Sequence, residues 1–281
     1  MGERHVGEKL SPFEDLEEPT ERRPAPRPVT WRDLAGSLAG LALLVAFHFA
    51  QAGHWTAHDR RSPGWDQAVQ LETTWELRRH LKAGDVGAAL SMPPRSGMPP
   101  FPILYHASLL PIIAGPDPVG GAVWVNAGYL ALLCLALWGL GRHFLGPWEG
   151  LGAAVLFTCT PEVAWLSRES LVDVALTAWV ACAYWAFAVS DGFRKKGASA
   201  LVGLLFGAAM MTKWSAFSYF FPLLVPAMTA LTRGPSAGLL AAATAAAVVA
   251  GPWYASQFPI VVPKLFEAVG DQAVPLSKGL F

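Results

Sequence analysis

The sequence predicts an all-α polytopic membrane protein with about seven transmembrane helices and a long first extracytoplasmic loop. Three observations support this fold class. The chain is 53% hydrophobic and only 15% charged, whereas soluble domains carry about a quarter charged residues. Several apolar runs reach the roughly 20 residues that a membrane helix needs. The charges gather in the first 33 residues and at the ends of the apolar runs.

The formal net charge is zero, so no global field attracts nucleic acid, and we expect no nucleic-acid partner. The cysteines all lie in apolar runs, and neither they nor the histidines have the spacing of a zinc site. The sequence contains no phosphate-binding loop and no dinucleotide-binding glycine motif. These absences exclude several common classes of soluble enzyme.

Residues 1–33 are polar and rich in proline, which predicts a disordered cytoplasmic tail. The first apolar run, Leu34 to Ala50, is read as an uncleaved membrane helix. A signal peptide is the rival interpretation, because "AQAG" resembles a cleavage site, but the acidic and overlong preceding region argues against it. Positive charges that hold the start of this helix in the cytoplasm are Arg22, Arg23, Arg27 and Arg32.

Seven further apolar runs follow, at residues 101–115, 119–141, 148–166, 171–190, 199–212, 215–232 and 236–253. Positive residues end three of them, in "GRHF" (141–144), in "FRKK" (193–196) and at Arg233, and the positive-inside rule places these ends in the cytoplasm. The helices then alternate from residue 119 onward. The run 101–115 therefore does not cross but lies at the outer interface or enters the membrane and returns to the same side, which leaves seven crossings.

This topology gives a membrane module over residues 34–254, with residues 51–118 as the first extracytoplasmic loop. Within the loop, Gly64 to Lys82 is predicted to form an interfacial helix that Gly84 stops. Residues 255–281 are expected to begin an extracytoplasmic segment, and the chain is either a fragment, the product of a split gene or a minimal version of a longer protein. The predicted location is the cytoplasmic (inner) membrane, with several passes and a cytoplasmic N-terminus.

The same topology puts a set of charged residues on the outer side. Asp66 lies in the first turn of the loop helix, where an acid also complements the helix dipole. Lys213 lies midway along an apolar stretch that is short for two crossings, so a recessed lysine that needs an anionic partner is expected. The rival interpretation is a lysine that reaches the lipid headgroups. Arg168, Glu169 and Asp173 interrupt another apolar region.

Glu169 and Asp173 would share one face of a helix at i,i+4 and repel each other, so a basic partner, Arg168 or Lys213, is expected. The rival interpretation is an interfacial network of ion pairs without a ligand. Trp214 is expected in the aromatic belt or beside a lipid.

Five stretches resemble the protein O-mannosyltransferase superfamily of integral-membrane glycosyltransferases, whose fold type is called GT-C and which includes the enzymes that transfer 4-amino-arabinose to lipid A. They are "GWDQAVQLETTWELRRHLKAGDV", "PPFPILYHASLL", "SRESLVDVALTAWVACAYWAF", "GLLFGAAMMTKWSAFSYFFPLLV" and "AGPWYASQ".

The resemblance implies transfer of a sugar from a polyprenyl-phosphate donor to a lipid, protein or glycan hydroxyl outside the membrane. It implies that Asp66 is the catalytic base, that Asp173 lies near the substrate, and that Lys213 and Arg168 meet the donor phosphate. Glu169 and Trp214 are expected beside the donor. A single base opposite the leaving group predicts inversion at the sugar carbon.

We expect no cofactor; the alternative is a Mg²⁺ ion held by Asp66 and Asp173. Two other functions stay open. The first is a transporter or flippase for a lipid-linked sugar, which would also need recessed charges. The second is a non-catalytic remnant of a longer glycosyltransferase.

Overall fold

The computed structural model describes residues 29–59, 61–92, 103–112, 117–232 and 236–272. Every regular element in these ranges is a helix. The α-helices are α1 (Trp31–His58), α2 (Trp65–Lys82), α3 (Val86–Leu90), α4 (Ile103–Leu109), α5 (Pro118–Phe144), α6 (Pro147–Thr158), α7 (Pro161–Leu166), α8 (Asp173–Val189), α9 (Lys196–Thr212), α10 (Leu224–Thr232) and α11 (Ala237–Gln272); a 3₁₀ helix over Trp214–Leu223 joins α9 to α10.

Short polar residues start several of these helices. Thr30 caps α1 through a capping box in which Asp33 bonds back to the Thr30 amide at 3.0 Å. The Asp117 carboxylate accepts a hydrogen bond from the Gly120 amide at 3.0 Å and so caps α5. These side chains bond amides that the helix itself leaves unpaired. The local sequence therefore fixes where these helices begin.

Contacts between α1, α5 and α6 define the directions of the first passes. Trp138 on α5 hydrogen bonds to Ser37 near the start of α1, whereas Trp124 near the start of α5 lies beside Gly53 on α1. Helices α1 and α5 are therefore antiparallel. Helix α6 runs with α1, because Trp148 lies beside Gly36 and Thr158 bonds to His48 at 2.9 Å.

The later helices continue this alternation. Asp173, at the start of α8, contacts Lys213, just after the end of α9, so these two helices are antiparallel. Helix α11 runs parallel to α9: Ala242 lies beside Gly203, and Val249 beside Gly207. Two parallel neighbours need a return segment between them. The 3₁₀ helix and α10 supply it.

The bundle consequently has two ends. One end, here called the Lys213 end, carries the last turn of α1, the start of α5, the α7–α8 junction and Lys213. The opposite end, here called the Arg194 end, carries the α8–α9 turn with Arg194 and the end of α5 with Arg142. Gly238, at the start of α11, packs against Phe193 in that turn.

The fold class is confirmed: the chain is an all-α polytopic membrane protein. Four helical segments of the described residues are long and apolar enough to cross a membrane, namely Trp31–His58, Pro118–Phe144, Trp214–Thr232 and Ala237–Pro263, and two shorter apolar helices cover Asp173–Val189 and Lys196–Thr212. The count of seven crossings stays a prediction.

Several predicted boundaries differ from the structure. The predicted run 148–166 is two helices, because α6 ends at Thr158 and Thr160 caps the new helix α7. The predicted run 236–253 continues as a helix to Gln272. The sequence predicts that the segment after Lys213 is short for a crossing. The segment is longer than predicted, because the ten residues of its 3₁₀ helix rise about 2.0 Å each.

The first loop carries the predicted helix, which spans Trp65–Lys82 with Gly64 as its N-cap and Gly84 at φ 74° just after it. The predicted tail up to residue 28, Arg233 and residues 273–281 lie outside the described residues. The structure describes residues 103–112 of the predicted run 101–115, and helix α4 covers Ile103–Leu109 there. At 1.5 Å per residue it spans about 10 Å, far less than the hydrocarbon core.

Candidate functional site

A cleft of about 520 Å³ opens at the Lys213 end. The end of α1, the loop that follows it, the start of α5 and the α7–α8 junction form its walls. Its charged and aromatic lining residues are Trp55, Asp59, Arg61, Asp117, Trp165, Arg168 and Glu169. A volume of this size is typical of small-molecule sites.

Arg61 connects the two sides of this cleft. Its guanidinium donates to both carboxylate oxygens of Asp59, at 3.0 and 3.2 Å, and lies 3.8 Å from the Glu169 carboxylate. The hydrogen bond and charge of Asp59 raise the pKa of Arg61. The Glu169 side chain is only 8% exposed, so Arg61 compensates a buried negative charge.

Trp55 holds two cations against one indole ring. The guanidinium carbon of Arg61 lies 5.0 Å from the ring centroid, and that of Arg168 lies 4.7 Å from it. Among the described residues, Arg168 has no carboxylate within ion-pair distance. Arg168 is therefore the cation of this cleft that is left to meet an anion.

A second ion pair lies at the same end of the bundle. Lys213 Nζ donates to Asp173 Oδ1 at 2.9 Å, and both side chains are about one-third exposed. Asp173 is in the first turn of α8, and Lys213 is the residue after α9. Each charge therefore also interacts favourably with the dipole of its own helix, the acid at an N-terminus and the lysine at a C-terminus.

The expectation that Glu169 and Asp173 share one helix face and repel each other is wrong. The α7–α8 junction, residues 167–172, is not helical, and α8 begins only at Asp173. The two acids consequently have different partners, Arg61 for Glu169 and Lys213 for Asp173. Lys213, one of the two expected basic partners, is the partner of Asp173, whereas the partner of Glu169 is Arg61, which was not expected.

Asp66 and Trp214 lie apart from these pairs. Asp66 is exposed on α2. Gly64 and Gln67 line the cleft, whereas Asp66 is not among the lining residues. Asp66 therefore lies at the rim of the cleft. Trp214 begins the 3₁₀ helix, and its ring lies 6.1 Å from that of Phe217.

A smaller cavity of about 210 Å³ lies deeper, between α1, α5 and α6–α7. Arg168 and Val123 line both this cavity and the cleft. The inner cavity is lined by apolar residues together with Gln51, Ser167, and the pair His48 and Thr158, which bond to each other at 2.9 Å. The two spaces are thus contiguous through Arg168.

Sequence reasoning missed Asp59, Arg61 and Trp55. The signal for the charged pair was the cluster "HDRRSP" directly after the first apolar run. Trp55 gave no signal in the sequence, because tryptophans are common at the ends of membrane helices whether or not they belong to a site. In the described ranges, no three histidine, cysteine, aspartate or glutamate side chains are grouped closely enough to hold a metal ion.

Comparison with known families gives one match. The family model described as dolichyl-phosphate-mannose-protein mannosyltransferase matches residues 100–254, just over half of the chain. The matched range includes Arg168, Glu169, Asp173, Lys213 and Trp214, and Asp66 lies outside it. No curated protein and no solved structure matches the chain.

Proposed function

Because the chain belongs to the dolichyl-phosphate-mannose-protein mannosyltransferase family, we propose that it transfers a sugar from a polyprenyl-phosphate donor to a hydroxyl group at the Lys213 end. Membership makes it a membrane glycosyltransferase of the GT-C type. The observation that carries the finer proposal is that the Asp173–Lys213 pair lies at the same end of the bundle as Arg168, for which the described residues provide no carboxylate partner.

The electrostatics suit a phosphate leaving group. Arg168 lies beside Trp55 and has no carboxylate partner in the part of the chain that the structure describes, and Lys213 is partly exposed. When the bond between the sugar carbon and the phosphate oxygen breaks, the electron pair stays on the lipid phosphate. Fixed cations near that oxygen stabilise the developing charge. Asp173 holds the Lys213 ammonium in place through the 2.9 Å hydrogen bond.

The acceptor hydroxyl must lose its proton as its oxygen attacks the sugar carbon. Asp66 at the rim of the cleft is the proposed base, which receives that proton. General base catalysis typically contributes 10²- to 10⁴-fold. Attack from the face opposite the phosphate inverts the sugar carbon.

The proposed orientation of the bundle in the membrane rests on the positions of its basic residues. Arg142, Arg194, Lys195 and Lys196 lie at the Arg194 end, and the positive-inside rule favours the cytoplasm for it. The cleft would then face the extracytoplasmic side of the cytoplasmic membrane. Lipid, protein and glycan hydroxyls are the candidate acceptors there.

The test is transfer by the purified chain in proteoliposomes that contain polyprenyl-phosphate-mannose or polyprenyl-phosphate-4-amino-arabinose, with mixed peptide and glycolipid acceptors. Wild type should release polyprenyl phosphate and label an acceptor. We expect Asp66→Asn and Lys213→Gln to lower the transfer rate at least 100-fold, about 2.7 kcal/mol of transition-state stabilisation.

Asp191→Asn at the Arg194 end is the matched control and should keep the wild-type rate. Full activity of Asp66→Asn would remove the proposed base. Movement of the donor between leaflets without any transfer would instead indicate a flippase.

A further inference from the structure

The α7–α8 junction, residues 167–172, carries the acid of one ion pair and directly precedes the acid of the other. Arg168 and Glu169 belong to it, and Asp173 follows directly. The chain reverses sharply here, since the Leu171 amide donates to the Glu169 carbonyl oxygen at 2.8 Å, a three-residue turn. The amides of residues 167–169 bond to carbonyl oxygens of α7. These bonds hold the junction to α7 only, so its position relative to α5 depends on contacts with that helix.

Asn126 on α5 makes such a contact. Its side-chain amide donates a hydrogen bond to the same Glu169 carbonyl oxygen, across 43 positions of sequence. Asn126 is 0% exposed. The carbonyl oxygen thus uses both of its lone pairs, one within the turn and one toward α5.

The packing of α5 alone does not explain this asparagine. Among the described residues, the Asn126 Oδ1 atom is buried beside the Tyr105 hydroxyl without a well-formed hydrogen bond, and a buried polar atom in this state is destabilising. An apolar residue at this position would avoid that cost. A polar side chain inside a membrane helix therefore needs a reason. Among the described residues, the hydrogen bond that the Asn126 amide donates goes to the turn.

The held carbonyl lies at the centre of the site. On one side, the Glu169 side chain pairs with Arg61. On the other side, four residues later, Asp173 bonds Lys213 at 2.9 Å. A small shift of this turn would displace both pairs at once, and a misplacement of about 1 Å is enough to lower rates by about 100-fold.

We propose that Asn126 is a positioning residue that fixes the α7–α8 junction and thereby sets the two ion pairs relative to each other. The fixing of the junction stands on geometry alone. Its effect on turnover rests on the proposed glycosyl transfer. Asn126 itself touches no reacting group.

Two readouts on full-length protein in nanodiscs test this. The first is amide hydrogen exchange over residues 167–173. The second is the steady-state rate of transfer from polyprenyl-phosphate-mannose, separated into kcat and KM. The variants are Asn126→Leu and Asn126→Ala, which both remove the donor, the second without adding volume. Asn126→Gln retains a donor amide.

Gln257→Leu is the matched control, because Gln257 is also a buried amide, 3% exposed, that donates to a backbone carbonyl, that of Ser91, at 3.2 Å. We expect exchange over 167–173 to accelerate at least tenfold in Asn126→Leu and Asn126→Ala, and kcat to fall at least tenfold with a donor KM within threefold. Asn126→Gln should restore part of both, and Gln257→Leu should leave exchange in the junction unchanged.

Wild-type exchange over 167–173 in both the Leu and the Ala variants would overturn the proposal. Accelerated exchange with unchanged kcat and KM would also overturn it, since the junction would then be held for stability alone. If wild type transfers no sugar, the proposed function fails, and the exchange measurement still decides whether Asn126 holds the junction.

Discussion

At the scale of single residues, the charges at the Lys213 end are paired across the bundle rather than along a helix. Lys213 meets Asp173 from 40 positions away, and Arg61 bridges Asp59 and Glu169. The Asp173–Lys213 pair joins two helix ends, and the Arg61–Glu169 pair joins the loop after α1 to the α7–α8 junction. The pairs therefore tie the site to the packing of the whole bundle.

The Asp173–Lys213 pair should show measurable coupling. In a double-mutant cycle with Asp173→Asn and Lys213→Gln, we expect the double variant to be destabilised less than the sum of the single variants, by about 0.5–1 kcal/mol. The value is small because both groups are one-third exposed and solvent screens them. Unfolding free energies in detergent check this, and additive effects would show that the pair is not formed.

His106 on α4 predicts a pH dependence. Its ring bonds the Thr74 hydroxyl of α2 at 2.7 Å, and burial lowers its pKa from 6.5 to about 3. Its contribution to stability is therefore complete above about pH 6.5. It is lost as the pH falls toward 3, because the unfolded chain takes up a proton that the folded chain excludes.

At pH 5 this loss is about 2 kcal/mol. The thermal midpoint of wild type should consequently fall more steeply between pH 7 and pH 5 than that of His106→Gln. Parallel pH profiles of the two proteins would contradict the assignment of a neutral, buried imidazole.

At the scale of elements, glycines set the distance between the helices. A side chain at Gly203 on α9 would overlap the Ala242 carbonyl of α11, and one at Gly150 on α6 would overlap the backbone of α5. Close approach of backbones through small residues is how membrane helices gain packing contacts. The parallel pair α9–α11 therefore depends on a few positions without side chains.

Gly203→Ala should destabilise the protein by about 1–3 kcal/mol, because a backbone oxygen cannot move aside and the two helices must separate. Gly197→Ala on the same helix is the control. Nothing lies within 4 Å of a side chain there, so its stability should be equal or up to about 1 kcal/mol higher. Thermal midpoints in detergent compare the two, and equal midpoints would refute the close packing.

At the scale of the whole molecule, the alternation of helix directions separates two ends of different charge. The Lys213 end carries the cleft and its ion pairs, and the Arg194 end carries Arg142, Arg194, Lys195 and Lys196. A bilayer with positive residues inside would orient such a molecule with the cleft outward. Function and orientation are thus linked through the order of the helices.

Cysteine labelling of intact cells checks this orientation. In a background with Cys134, Cys159 and Cys182 replaced, a membrane-impermeant maleimide should label Ser62→Cys, and should label Lys196→Cys only after permeabilisation. Both positions are exposed. Labelling of Lys196→Cys in intact cells would invert the topology and move the cleft to the cytoplasm.

The sequence by itself determined the fold class, most helix positions and the grouping of charges at one end. These features follow from local properties: apolar runs, capping residues such as Thr30 and Asp117, and positive residues at run ends. The break at Thr158–Thr160 and the 3₁₀ form of Trp214–Leu223 were missed. Both occur inside continuous apolar stretches, where hydrophobicity does not distinguish one helix type from another.

Only the tertiary structure decided the partners. In the folded chain Lys213 pairs with Asp173, and Glu169 pairs with Arg61. Asn126 donates a hydrogen bond to the Glu169 carbonyl oxygen. Pairs of this kind depend on which helix faces meet and on the level at which each helix ends. Those quantities arise from the packing of all the helices together, and no short stretch of sequence contains them.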